Sequence, residues 1–188
     1  MAVAWRPTKD QLAAAYGRTI SDIIAGGLRV LFVGINPGLY SGAVGHHFAR
    51  PGNRFWPALH GAGFTPRVIS PFEEQELLSY GLGITNLVAR TTAAAAELIT
   101  DELLAGAKQL EEKVGKYSPL YVAFLGLDSY RKALGRPRAA VGLQEESMAG
   151  SRIWLLPNPS GLNAHFQLPE LARLYGELNQ ASLVTGGP

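Results

Sequence analysis

Two short segments carry the polar groups on which chemistry could be built. GINPG, residues 34–38, sets one amide side chain, Asn36, between Ile35 and the pair Pro37-Gly38, directly after the apolar run VLFV. PNPSGLN, residues 157–163, follows the apolar run IWLL and groups Asn158, Ser160 and Asn163 around Gly161 and Leu162. Neither segment holds a carboxylate, a thiol or a lysine. An amide can accept from a water and donate to it, but it cannot take a proton effectively. Such groups suit a reaction whose leaving group departs first, so that a held water then captures a cation. Breaking an N-glycosidic bond is one reaction of that kind. The alternative reading of Asn36 is a turn residue that tolerates an unusual backbone angle.

A third segment lies between the two. HHFARPGNRFW, residues 46–56, interleaves Phe48, Phe55 and Trp56 with Arg50, Arg54 and two histidines. Aromatics mixed with cations suit stacking on a base and contact with phosphate. Phe55 and Trp56 enter a helical pattern and read as core. Phe48, flanked by Gly and Pro residues, reads as the stacking candidate. RKALGRPR, residues 131–138, is a second basic cluster or a solvated helix end.

Other site types are excluded by what the chain lacks. No GxxxxGK[ST], GxGxxG or GxSxG segment occurs. Ser160 and His165 have no third partner for a hydrolase triad, and Ser160 reads as a loop-turning residue. The chain has no cysteine and only four histidines, which removes disulfides, thiolate nucleophiles and iron–sulfur clusters and leaves no expected metal or cofactor. The net charge is +2, yet Ile23–Phe72, Leu77–Ala96 and Ser147–Pro169 contain no acid at all. Segregation of that kind can give one face a positive potential without an extreme composition.

Elements must position these segments. With 188 residues and 47% hydrophobic content, the chain suits one domain over residues 1–188, with residues 1–7 and 185–188 frayed. Apolar runs predict strands over Arg29–Gly34, Ile84–Val88, Leu120–Gly126 and Arg152–Leu156. They lack strict alternation, as parallel strands covered on both faces do. Helical patterns occupy Thr8–Ile24 (broken near Gly17), Asn53–Ala62, Pro71–Tyr80, Asp101–Tyr117, Ser129–Leu134 and Pro169–Leu183. The stretch TTAAAAEL, residues 91–98, reads as a helix start or a mobile loop. Alternating strands and helices predict an α/β fold, a three-layer α/β/α sandwich around a mainly parallel sheet of four to five strands. In such sheets ligands sit at the carboxyl ends of strands, which is where GINPG and PNPSGLN both fall. The N-terminus has no signal-peptide pattern and no run spans a bilayer, so the expectation is a cytoplasmic protein that does not meet a membrane.

GINPG, FARPGNRFW and PNPSGLN, in that order and with GITNLVART (83–91) between them, resemble the mismatch-specific uracil-DNA glycosylases. These are relatives of thymine-DNA glycosylase in the uracil-DNA glycosylase superfamily. The resemblance runs from about Arg29 to Leu183 and implies a bacterial DNA-repair enzyme, for which a monomer is the default expectation. Its partner would be double-stranded DNA containing uracil or mismatches. It would flip uracil and related damaged pyrimidines from the stack, preferentially opposite guanine, and leave an abasic site. Carried over, Asn36 positions the water. Ile35, Ser41, Phe48, Asn86 and Asn158 form the base pocket. Leu162 is the wedge, and Gly161 and Asn163 offer backbone contacts to the widowed guanine. Arg50, Arg54, Ser160 and His165 are the candidate phosphate contacts. Where a better-known branch reads GQDPYH and uses a His against the base, this chain has Asn36 and Asn158. No Lys falls in either motif, which implies a monofunctional enzyme. Family members tend to carry Lys where this chain has Asn86, and a basic residue soon after the wedge where it has Asn163-Ala164-His165. An N-glycosidase for free nucleosides and a non-catalytic DNA-binding module are the rival readings.

Overall fold

A computed structural model describes residues 6–184, so the expected fraying of residues 1–5 and 185–188 lies outside the described residues. Five strands form one sheet: β1 (Val30–Gly34), β2 (Leu82–Asn86), β3 (Tyr121–Leu125), β4 (Gly142–Met148) and β5 (Ser151–Leu156), in the order β2-β1-β3-β5-β4. The first four in that order are parallel, and β4 runs antiparallel at the edge. This is the expected mainly parallel α/β/α architecture.

The lack of alternation in the strand sequences follows from burial on both faces. Val30 and Phe32 of β1, with Tyr121, Ala123 and Trp154, pack on one side. That side is covered by α3 (Phe55–Gly61) through Phe55, Trp56, Ala58 and Leu59, and by α6 (Leu168–Val184) through Leu171, Leu174, Tyr175 and Leu178. Leu31 and Val33, with Val122, Phe124, Ile153 and Leu155, point the other way. They meet α4 (Thr100–Tyr117) and α5 (Leu127–Leu134) through Leu103, Leu110, Val114, Tyr130 and Ala133. The reading of Phe55 and Trp56 as core is correct.

Several boundaries differ from the expectation, each for a physical reason. The helix expected over Thr8–Ile24 is only α1, Lys9–Ala14. Gly17 takes a left-handed φ of 76° and gives its N–H to Thr91 O, and Ile23 exchanges both backbone bonds with Ile84. The chain there serves β2 and the 91 loop instead of its own helix. Strand β2 starts before Ile84 because Gly83 belongs to it. A Cβ on Gly83 would stand 2.5 Å from Ile23 O. The segment Pro71–Tyr80 is 3₁₀-wound and kinked at Glu73, which has non-helical angles, and Glu74 and Leu77 after the kink are buried three residues apart, the spacing of one 3₁₀ turn. The charged edge strand β4 and the short helix α2 (Leu39–Val44) were not expected.

One contact fixes how closely α4 lies on the sheet. A Cβ on Gly106 would be 2.1 Å from Leu87 O, so helix and backbone touch with no side chain between them. Gly106→Ala should therefore cost about 3 kcal/mol in urea denaturation, the upper end of ordinary overpacking. An unchanged midpoint would contradict this packing. Among the described residues, no helix is long and apolar enough to cross a membrane, and no three His, Asp or Glu residues are grouped to hold a metal ion.

Candidate active site

Because β1, β2, β3 and β5 are parallel, their carboxyl ends meet at one edge of the sheet. A cavity of about 540 Å³ opens there. Gly34 at the end of β1, Asn86 at the end of β2, Leu125 at the end of β3 and Asn158 beyond β5 all line it. This is the strand-end crevice that open α/β sheets offer to ligands. Apart from Leu12, Ile20 and Leu125, every lining residue comes from one of the three acid-free stretches, so no carboxylate faces the cavity.

Asn36 is pinned through one end of its amide. Its Nδ2 donates to Arg90 O at 2.9 Å, to Thr92 Oγ1 at 2.8 Å and to Pro37 O at 3.3 Å. Two of these partners are carbonyls, which only accept, so the atom facing them must be the nitrogen. The Oδ1 is left with no partner among the described residues, on a residue that lines the cavity. Thr92 is held in turn: its N–H donates to Pro37 O and its hydroxyl to Ala94 O. Residues 92–95 thus form a wall of the cavity. The expectation of a mobile loop or helix start for 91–98 is replaced by an anchored turn with one short 3₁₀ piece, Ala95–Glu97.

Gly34 makes room for the pocket. A Cβ there would lie 2.7 Å from Asn86 Oδ1 and 3.3 Å from the Phe48 ring. Asn86 sits beside Gly34 in register, and its side-chain amide has no partner among the described residues. Phe48 lines the cavity, with its ring stacked on Phe55 at 4.2 Å and 29°. Its φ of 50° is left-handed, a conformation that costs a non-glycine residue about 1–3 kcal/mol and persists only where neighbours enforce it. Ser41 is one such neighbour: it is buried and its Oγ accepts from Ala49 N at 3.1 Å. Ser41 therefore lines the cavity and also anchors the Phe48 loop.

Glu74 is the other anchor, and sequence reasoning missed it. Its buried carboxylate accepts from His46 Nδ1 at 2.9 Å, from His47 Nδ1 at 3.0 Å and from His47 N at 2.8 Å. A carboxylate only accepts, so both Nδ1 atoms carry the proton in these bonds. His47 Nε2 is buried, has no partner among the described residues and belongs to a residue that lines the cavity. The pair of adjacent histidines was the only signal available. Burial pushes the Glu74 carboxyl up, but the bonds from the His47 ring and N–H, then the His46 ring, outweigh it and hold it below its ordinary 4.5. A depressed folded value adds stability that is present above the unfolded value and is lost as pH falls through the folded one. The urea-midpoint gap between the wild type and Glu74→Gln should be open above pH 4.5 and close below it. A gap that does not vary with pH would contradict this linkage.

The third segment lies against the second. Asn158 lines the cavity, and its Oδ1 accepts from Ser160 N at 2.9 Å, while its Nδ2 has no acceptor among the described residues. Ser160 Oγ accepts from Leu162 N at 3.3 Å. Leu162 is 77% exposed at the cavity rim. Arg50 is exposed at the same rim and has no side-chain partner among the described residues. His165 is exposed with its ring free; only its N–H is engaged, by Asn163 Oδ1.

Two expectations are corrected here. Arg54 is half-buried and turned inward: Nη1 donates to Asn163 O and Phe166 O, and Nη2 to Gly161 O, so it is not an exposed phosphate contact. Asn163 is not free for an opposite base. Its N–H donates to Ser160 O, its Nδ2 to Asn158 O, and both its carbonyl oxygens accept bonds within the loop or from Arg54. Both residues hold the loop together. Gly161 keeps an exposed position beside Leu162 but does not line the cavity. Ile35 does line it, and its carbonyl accepts from Val88 N.

A protein-family model described as the uracil DNA glycosylase superfamily matches residues 22–180, which take in the whole sheet and every cavity residue except Leu12 and Ile20.

Proposed function

The chain belongs to the uracil DNA glycosylase superfamily, and from that premise we propose that it excises uracil from double-stranded DNA, preferring uracil mispaired with guanine. Membership implies a DNA N-glycosylase, a hydrolase of base excision repair that acts on DNA. The finer reading rests on the site. A nucleotide leaves the stack, Leu162 fills the gap, and the base enters the cavity against the open face of Phe48. Asn86 meets the polar edge of the base, and Ser41 lies along the pocket wall. Asn158 Nδ2 donates to the base as it departs as an anion. Arg50, Ser160 and His165 meet the backbone phosphates.

The observation that carries this reading is the state of the Asn36 amide. Its Nδ2 has three acceptors, and its Oδ1 has no donor among the described residues. An acceptor held that firmly can orient one water by taking a hydrogen bond from it. The bond between C1′ and the base nitrogen breaks first, with its electron pair leaving on the base; the water oxygen then adds to the C1′ cation, and the water's proton passes on to solvent. With no carboxylate on the cavity wall, nothing polarises the water strongly or balances the developing cation. The enzyme should therefore be slow, depending on positioning and on the DNA's own phosphates. No lysine lines the cavity to attack the sugar, which supports a monofunctional enzyme.

The test uses end-labelled duplexes carrying U·G, U·A or T·G and a single strand carrying U, each incubated with the protein and then treated with alkali. The expected result is strand cleavage only after alkali, fastest for U·G. Binding to duplex without cleavage of any substrate would favour a binding module. Activity on free deoxyuridine without activity on DNA would favour a nucleosidase, for which the exposed Leu162 has no use.

A further inference from the structure

Leu162 is exposed, yet the loop that presents it is not loose. The carbonyls on both sides of it are held by one side chain. Arg54 Nη2 reaches Gly161 O at 3.3 Å, and Nη1 reaches Asn163 O at 2.8 Å and Phe166 O at 2.9 Å. The backbone of the same residue joins in, since Arg54 N donates to Pro159 O at 2.9 Å. Arg54 stands at the start of α3, directly after the loop that carries Phe48 and Arg50. A second contact ties the same two loops: a Cβ on Gly161 would sit 2.6 Å from Gly52 O, so the backbones lie against each other.

We propose that Arg54 is a positioning residue that sets the pose of the Leu162 wedge and couples it to the base-stacking loop. A planar guanidinium is suited to this because its donors keep fixed directions, so three carbonyls bound together define one loop geometry. Among the described residues, its side-chain partners are all neutral carbonyls and no carboxylate pairs with the cation. Its charge therefore lies beneath the face that would meet phosphates, where it attracts without touching them. Lysine, with one flexible ammonium, cannot span the same acceptors.

The proposal rests on the glycosylase reading, and the experiment separates the two. Single-turnover rates are measured on U·G duplex and on single-stranded U for the wild type, Arg54→Ala, Arg54→Lys, Leu162→Ala and the Arg54→Ala/Leu162→Ala double variant. Thermal melting runs alongside. The expected result is a duplex-to-single-strand rate ratio about tenfold lower in Arg54→Ala, with little recovery in Arg54→Lys. In the Leu162→Ala background, Arg54→Ala should lower that ratio no further, because there is no wedge left to place. Gly161→Ala, which pushes the same loop off Gly52, should reproduce the selective duplex loss and serves if Arg54→Ala does not fold. Equal loss on both substrates, or independent multiplication in the double variant, would overturn the role of Arg54 while leaving the glycosylase reading intact. A wild type inactive on both substrates would overturn both.

Discussion

Asn36→Ala should slow uracil release from a U·G duplex by about a hundredfold in single turnover, because a reacting water that loses its orientation costs about that much. That is about 2.7 kcal/mol of barrier. Duplex affinity should stay close to the wild type, since the side chain follows the end of β1 and is not one of the exposed residues, Arg50 and Leu162, at the cavity rim. Asn36→Asp is the more informative substitution. A carboxylate would be a stronger acceptor for the water, but one of its oxygens would have to face Arg90 O and Pro37 O, where Nδ2 now donates. Acceptor against acceptor is repulsive, and a buried polar atom left unpaired is costly. The aspartate variant should therefore be less stable than the wild type and no faster. An Asn36→Ala variant as active as the wild type, or an Asn36→Asp variant both faster and equally stable, would disprove this mechanism.

Leu162→Ala carries the second large effect. Flipping a nucleotide costs a few kcal/mol of stacking and pairing in a duplex and much less in a single strand. A leucine filling the vacated space recovers part of this by burying apolar surface, about 1.5–3 kcal/mol for a full side chain. At 77% exposure in the free protein, nearly all of that surface remains to be covered. The variant should lose about tenfold or more on duplex uracil and much less on single-stranded uracil, as measured by the two single-turnover rates. Equal losses would show that Leu162 supports the loop and not the open duplex.

The parts of this molecule that were legible in the sequence are those where burial writes a local pattern. The runs ending at Gly34, Asn86, Leu125 and Leu156 are apolar because both faces of the sheet are covered, and the loops after Gly34 and Leu156 are rich in Gly, Pro and Asn because the chain turns there beside the cavity. Phe48 and Asn36 could be singled out from their neighbours alone. Other features had no local signature. Glu74 looks like any acid in the first turn of a helix, and only tertiary packing brings it to His46 and His47. The partners of Arg54 are backbone carbonyls more than a hundred residues away, and carbonyls belong to every residue. Strand β4 alternates polar side chains at a sheet edge, so its sequence lacks the apolar run that betrays the interior strands. The stretch 91–95 reads as low complexity, yet Thr92 supplies both an anchor for Asn36 and part of the cavity wall.

In the proposed mechanism GINPG acts through the two ends of one amide: Arg90 O, Thr92 Oγ1 and Pro37 O share the two hydrogens of its nitrogen, and its oxygen holds a water. The most direct test is to run the reaction on a U·G duplex in heavy-oxygen water and analyse both products by mass spectrometry. The account predicts free, unlabelled uracil and an unbroken strand whose abasic sugar already carries one labelled oxygen in a single turnover stopped before the free aldehyde can take up label by exchange with the same water. A strand cut without alkali, a covalent protein–DNA adduct trapped by borohydride, or no release of uracil would contradict it.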